Sequence, residues 1–353
     1  MNQEISLLEE LYSLLISGNY LYDETISFLD FIRILRVLKS CNLFPKCLKK
    51  SHVGLNTFLG ILEFLQNVNV IKLDENKKIK ILNDEVLASF YQSLSRKKLL
   101  AKLMRKVPHT FKLIRKRSFL KKNNLLNLYL SNFELNIKSF QLPCSISSSF
   151  KRAVTIVKNI YLTSQKILFI GDDDLVSVLC KFIMPELHIT VIEIDGRITK
   201  LLKEIAEENK FEEYYVYNSD FKELKLLPEI LTQKFSIIHL DPPYEAKEIE
   251  MFFKNILLIL DNKVVQIFLN GLYDLNSMHK INQFIIQNHF NISKYYKYFN
   301  SYPLKPLDLK YLKYLIKQIK SEFNFRFNEK SLREMEISSD LILIEKGWID
   351  NSK

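Results

Sequence analysis

The sequence predicts an α/β domain, a mostly parallel sheet covered by helices, preceded by a smaller helix-rich α+β domain. Two observations carry this reading. From Phe150 onward, short apolar runs alternate with helix-compatible stretches, as strands joined by crossover helices do. Before that, apolar residues recur at spacings of three and four and are followed by two short alternating runs, which reads as helices and a hairpin. A chain of 353 residues with 47% apolar and 26% charged residues suits two domains better than one small core.

The amino-terminal elements come first. Leu7, Leu8, Leu11, Leu14 and Leu15, then Phe28, Phe31, Ile32, Leu35 and Leu38, then Leu55, Phe58, Leu59, Leu62 and Leu65 define three helices. Val70–Leu73 and Ile79–Leu82 flank the turn-prone Asp74–Lys78 and form a hairpin. Helices followed by such a hairpin read as a winged helix over residues 1–95, with Asn56–Gln66 in the place of a recognition helix. That helix carries no Lys or Arg, and phosphate contacts dominate DNA affinity, so packing or a homodimer interface is favoured over DNA.

Residues 96–140 form a basic helical linker region. Twelve Lys/Arg and no Asp or Glu lie between Arg96 and Lys122, a run that reads more readily as a solvated helix face than as a nucleic-acid site. The net charge of +11 is concentrated there and says little about the substrate. No run of some 18 uncharged apolar residues occurs, and the acidic start Met1–Glu4 is unlike a secretory leader, so a cytoplasmic protein without membrane contact is expected. Cys41, Cys47, Cys144 and Cys180 show neither a CxxC pair nor zinc spacing and read as buried free thiols.

Residues 141–353 contain the α/β elements. Strand runs are expected at Lys166–Ile170, His188–Ile194, Tyr214–Tyr217, Phe235–Leu240, Val264–Leu269 and Leu341–Ile344. Ligands of such sheets bind at the carboxyl ends of the strands, so the residues at those ends are the informative ones. The first strand runs into Gly171-Asp172-Asp173-Asp174-Leu175. Glycine there allows close backbone approach to a ligand. Three successive carboxylates are foreign to a phosphate-binding loop: two like charges about 5 Å apart repel by roughly 3 kcal/mol at an effective dielectric near 20. The triplet therefore takes up protons, spreads into solvent or faces a cation, and a cationic ligand fits it best.

Glu193 and Asp195, 22 and 24 positions beyond Gly171, stand where ribose hydroxyls are bound. Asn218-Ser219-Asp220 offers polar groups where an adenine edge would lie. The fourth strand ends in Asp241-Pro242-Pro243-Tyr244. Its prolines stiffen the turn, Asp241 can accept a hydrogen bond from an amine and orient its lone pair, and Tyr244 can stack or make a cation–π contact. Amine alkylation is the natural chemistry of such a turn. Asp172–Asp174, Asp220 and Asp241 could instead gather a divalent cation, but no His-based motif accompanies them and no metal is expected.

Taken together, these residues resemble the branched-chain polyamine synthases, also called bis(aminopropyl)spermidine synthases. The resemblance spans roughly 140–345 and rests on Gln141 and Pro143 before Ser145–Arg152, the Gly171–Leu175 block, Glu193-Ile194-Asp195, Asp241–Tyr244, Phe299-Asn300 with Tyr302, and Ser339-Asp340-Leu341. It implies a Rossmann-like domain of the methyltransferase type, and transfer of aminopropyl groups from decarboxylated S-adenosylmethionine to the secondary amine of spermidine. Asp172, Asp173 and Asp174 would then handle the amine and aminopropyl end. Gly171, Glu193, Asp195, Asp220 and Pro242 would line the nucleoside, and Asp241 with Tyr244 the reaction centre. The alternatives are an S-adenosylmethionine-dependent amino-methyltransferase acting on nucleic acid or another amine, and a ligand sensor whose winged helix binds DNA.

Overall fold

A computed structural model describes residues 2–18, 26–51, 53–74, 78–88, 90, 97–99, 101–102, 144–243, 245–261, 264–271, 273–303 and 336–347. Most of the basic 96–140 region, Gln141 and Pro143, and Tyr244 lie outside the described residues.

The amino-terminal part contains α1 (Asn2–Ser17), α2 (Phe28–Leu38), α3 (Phe44–Ser51), α4 (Leu55–Asn67) and the hairpin of β1 (Ile71–Leu73) and β2 (Ile79–Ile81). The strands are antiparallel, with Ile71 opposite Ile81 and Leu73 opposite Ile79. The three helices and the hairpin expected from spacing are present, and α3 is an addition. Its sequence, FPKCLKKS, buries only Cys47 and Ser51, too few positions to show a period. Tyr161, Leu162 and Val264 from the larger domain belong to the same hydrophobic cluster as these helices, so the two parts share a core. Arg33 of α2 pairs with the buried Glu345, and Arg36 stacks 4.9 Å over the Tyr161 ring. Cys41, Cys47, Cys144 and Cys180 are all buried and free.

The larger domain is a seven-stranded sheet. Its strands are β3 (Lys166–Ile170), β4 (His188–Glu193), β5 (Tyr214–Asn218), β6 (Ile237–Leu240), β7 (Val264–Gly271), β8 (Asn291–Pro303) and β9 (Glu336–Gly347). The spatial order is β5-β4-β3-β6-β7-β9-β8. The first five run parallel, and β9 is antiparallel to both β7 and β8. This is the Rossmann-like, methyltransferase-type architecture that the sequence implies. Strands buried on both faces read as continuous apolar runs, which is why Lys166–Ile170 was legible.

Helices α5 (Ile146–Asn159), α6 (Val176–Ile183) and α7 (Gly196–Glu208) cover one face, packing with Ile167 and Phe169. Helices α8 (Ala246–Ile259) and α9 (Leu275–Gln287) cover the other, with Leu168 and Ile170. The alternation follows from the two-residue period of a strand. Chain direction across the sheet reverses between β3 and β6, so a crevice opens at their carboxyl ends.

Ser145 caps α5 by accepting the Ser148 amide. Strand β8 was not expected. It carries two register irregularities, between Ile292 and Lys294 and between Tyr296 and Asn300, which break the alternation that marks a strand.

Candidate active site

The turn after β3 is bracketed by two left-handed residues, Gly171 (φ 74°) and Leu175 (φ 53°). Glycine takes that conformation without penalty, whereas leucine is strained there. The turn directs its three aspartates to three different tasks. Asp172, 2% exposed, accepts the Val176 amide at 2.7 Å and the Ser177 amide at 3.2 Å. It also receives the Ser177 hydroxyl, so it closes the first turn of α6. Asp174, 3% exposed, accepts the Cys144 amide at 2.6 Å and pairs with Arg152 Nη1 at 2.8 Å. Asp173 is only partly covered and accepts no hydrogen bond among the described residues. Burial pushes all three carboxyls above the usual range; Asp174, Glu193 and Asp241 raise Asp173 further, and Arg152 opposes the rise.

Arg152 is the centre of the site. It reaches it from α5, whose start is tied to β8: the Ser145 amide donates to the Ser301 carbonyl (2.6 Å) and the Ser301 amide to the Ser148 hydroxyl (2.9 Å). Two turns further on, its guanidinium donates from Nη2 to Asp241 Oδ2 (2.9 Å) and Tyr302 Oη (2.6 Å), and from Nε to Asn300 Oδ1 (2.7 Å). The Tyr302 hydroxyl donates in turn to Asp241 Oδ2 (2.7 Å). Asn300 donates in turn to Asn270 Oδ1 (3.1 Å) and Ser339 Oγ (3.0 Å), and Asn270 lies 3.0 Å from His239 Nε2. Burial opposes the Arg152 charge, but Cys144, Tyr302, Asp174 and Asp241 outweigh it and hold the guanidinium firmly protonated. Burial and the neighbouring Arg152 keep His239 neutral.

The remaining expected residues lie at the adjacent strand ends. Glu193, 4% exposed, accepts the Asp172 amide on Oε2 (2.9 Å) and the Asp195 amide on Oε1 (2.8 Å). That fixes its carboxylate beside Gly171, from which a β-carbon would stand 4.0 Å from Oε2. Asp195 caps α7 and is gripped by Arg197 (Nη2 to Oδ2, 2.6 Å). Asp220 accepts the Lys222 amide at 2.9 Å. Pro242 is buried directly after Asp241, whose side chain is 24% exposed. Among the described residues, no group of three or more His, Cys, Asp or Glu is arranged to hold a metal ion.

Against this geometry, residues 139–340 match the model of the branched-chain polyamine synthase A C-terminal domain, more than half of the chain. The chain belongs to the branched-chain polyamine synthase family. Among curated proteins it is 32% identical over 91 residues to the N(4)-bis(aminopropyl)spermidine synthase of Thermococcus kodakarensis. It is 31% identical, also over 91 residues, to that of Methanocaldococcus jannaschii. Each match covers 26% of this chain and 25% of the relative, so the matched region spans about a quarter of those proteins. Among solved structures, the branched-chain polyamine synthase of Thermus thermophilus, a C9 mutein in complex with N4-aminopropylspermidine and 5'-methylthioadenosine, aligns with a TM-score of 0.48 at 16% identity, over 100% of this chain and 95% of that one.

Within this family frame, Arg152, Asn300, Tyr302 and Ser339 are residues that the sequence showed without assigning them a task. All four lie in the stretches that carry the resemblance. The structure joins them into one cluster, although they come from α5, β8 and β9 and are separated by up to 187 positions. A buried arginine two turns into a helix gives no local signal of its destination. Its partners are nonlocal, and only the paired acidic turns hinted that a cation was needed.

Proposed function

We propose that this chain is an aminopropyltransferase that moves aminopropyl groups from decarboxylated S-adenosylmethionine to the secondary amine of spermidine, giving a branched polyamine. One observation carries the reading: the carboxylates of Asp173 and Asp241 stand at the carboxyl ends of neighbouring strands β3 and β6, partly open, with Glu193 fixed beside them. Membership of the branched-chain polyamine synthase family supports it.

In the reaction, the amine lone pair forms a bond to the methylene carbon beside the sulfonium. The carbon–sulfur bond breaks with its electron pair going to sulfur, which leaves 5'-methylthioadenosine, and the new ammonium loses a proton. Asp241, stiffened by Pro242, accepts a hydrogen bond from the attacking amine and aims its lone pair. Asp173 faces the ammonium of the aminopropyl group, since Asp172 and Asp174 are engaged inside the protein. Glu193 retains acceptor capacity for the ribose hydroxyls, with Gly171 leaving room for the nucleoside, and Asp195 and Asp220 flank it. Tyr244, from the same Asp-Pro-Pro-Tyr motif, is assigned a stacking or cation–π contact with the amine.

Losing its carboxylate leaves the donor with a sulfonium and an ammonium, which suits an acidic turn, while intact S-adenosylmethionine brings an anion into the same region. Among the described residues Arg152 brings a cation to this region, and Asp173, Asp174, Asp241 and Glu193 outnumber it, which still favours the carboxylate-free donor. Absence of Lys and Arg from α4 speaks against nucleic acid as the acceptor. Calorimetric titration with both donors tests the reading. Tighter binding of the decarboxylated donor is expected; preference for the carboxylated one would contradict it.

A further inference from the structure

We infer that Arg152 is a positioning residue for the reaction: its guanidinium joins the turn after β3 to the turn after β6 and fixes how Asp174 and Asp241 are held beside the substrate crevice. The inference rests on the proposed aminopropyl transfer and deepens it. Four groups from three parts of the chain converge on one buried side chain, Asp174, Asp241, Asn300 and Tyr302, and arginine's planar, five-donor fork is the side chain that can serve all of them.

The hydrogen bonds run in one sense. Arg152 donates to Asn300 Oδ1, Asn300 to Ser339 Oγ, Ser339 to Tyr302 Oη (3.2 Å), and Tyr302 to Asp241 Oδ2. Tyr302 accepts from Arg152 and Ser339, so its proton is committed to Asp241. Oδ2 of Asp241 therefore receives two donors on one side, which orients the carboxylate plane. Asn300 also continues through Asn270 to His239, whose Nδ1 has no hydrogen-bond partner among the described residues. That buried chain braces the clamp along strands β6 and β7. The titratable and charged groups facing Arg152 are Asp174 with Asp173 beside it, Cys144, Asp241, Tyr302 and His239, and Glu193 faces Asp173.

Lysine in place of Arg152 keeps the charge and loses the fork. Phenylalanine in place of Tyr302 removes a single hydroxyl from the same chain and is the variant least able to disturb folding. For Arg152→Lys, kcat is expected to fall about a hundredfold, the size of effect a displacement near 1 Å produces, with the donor KM changed less than about threefold. The acid limb of the pH profile should move to higher pH, because one ammonium cannot stay close to both carboxylates and the one it leaves protonates more readily. Tyr302→Phe should shift kcat and the acid limb in the same directions by a smaller amount, with the fold retained. A folded Arg152→Lys protein with the wild-type kcat and pH profile, or with its whole loss in KM, would overturn the inference.

Carbon-13 titration of the aspartate carboxyls in ligand-free protein reads the same clamp without turnover. Upward movement of the Asp174 midpoint in Arg152→Lys is expected, and an unmoved midpoint would overturn the clamp. If the midpoint moves while the wild-type protein makes no aminopropylated product, the proposed reaction fails and the clamp stands.

Discussion

Arg152 Nη1 lies 2.8 Å from Asp174 Oδ2 while its Nη2 lies 2.9 Å from Asp241 Oδ2, so one buried guanidinium spans the turns that follow β3 and β6. Removing a partner from a buried pair leaves an uncompensated charge, at a cost of about 3–5 kcal/mol. Asp174→Ala is therefore expected to lower stability by about that amount, measured by urea denaturation.

Asp173 should behave in the opposite way. Its folded-state pKa is raised by burial and by Asp174, Glu193 and Asp241. A raised carboxyl favours the folded state below the unfolded pKa, and that stabilisation is lost as pH rises through the folded value. Above its unfolded-state pKa, Asp173 thus opposes folding. Asp173→Asn should raise the melting temperature at pH 7, show a flatter decline of stability with rising pH, and lose most of its turnover. Thermal melts across pH beside activity assays check all three.

Asp172 is bound to the start of α6 rather than to the crevice. Asp172→Ala should cost about 1–2 kcal/mol, the usual loss for a helix cap. Asp172→Asn keeps an acceptor for the Val176 amide and removes a charge that burial disfavours, so its stability should match or exceed the wild type. Chemical denaturation of the two variants separates the capping role from a charge role.

Gly171→Ala isolates backbone strain. Among the described residues, no heavy atom beyond the two flanking residues lies closer than 4.0 Å to the added methyl group, but φ is 74°. The left-handed conformation costs a residue with a β-carbon roughly 1–2 kcal/mol, and the loss should appear in denaturation midpoints. Restored stability in a variant carrying Asn, which tolerates that conformation better, would confirm the backbone as its source.

Much of this arrangement was legible in the sequence. The β3 run and the turn at Gly171 are read from apolar continuity and a scarce glycine, and β4, β5, β6 and β7 follow from the same pattern. Strand β8 escaped because its irregular register hides the two-residue period, and α3 because it buries too few residues to show the helical one. At the site, sequence named the acidic residues but treated the triplet as one charge facing a cationic ligand. The fold gives Asp172 to a helix start and Asp174 to Arg152, and leaves Asp173 partly open. That division depends on where α5 docks against β8, a contact between residues some 150 positions apart that local pattern does not encode.

The most direct test is mass spectrometry of wild-type reactions containing spermidine and decarboxylated S-adenosylmethionine, with methylthioadenosine release followed in parallel. The expected result is a polyamine heavier by one or two aminopropyl units, with one methylthioadenosine released for each. Unchanged spermidine, together with methyl transfer from intact S-adenosylmethionine to an amine, would contradict the assignment.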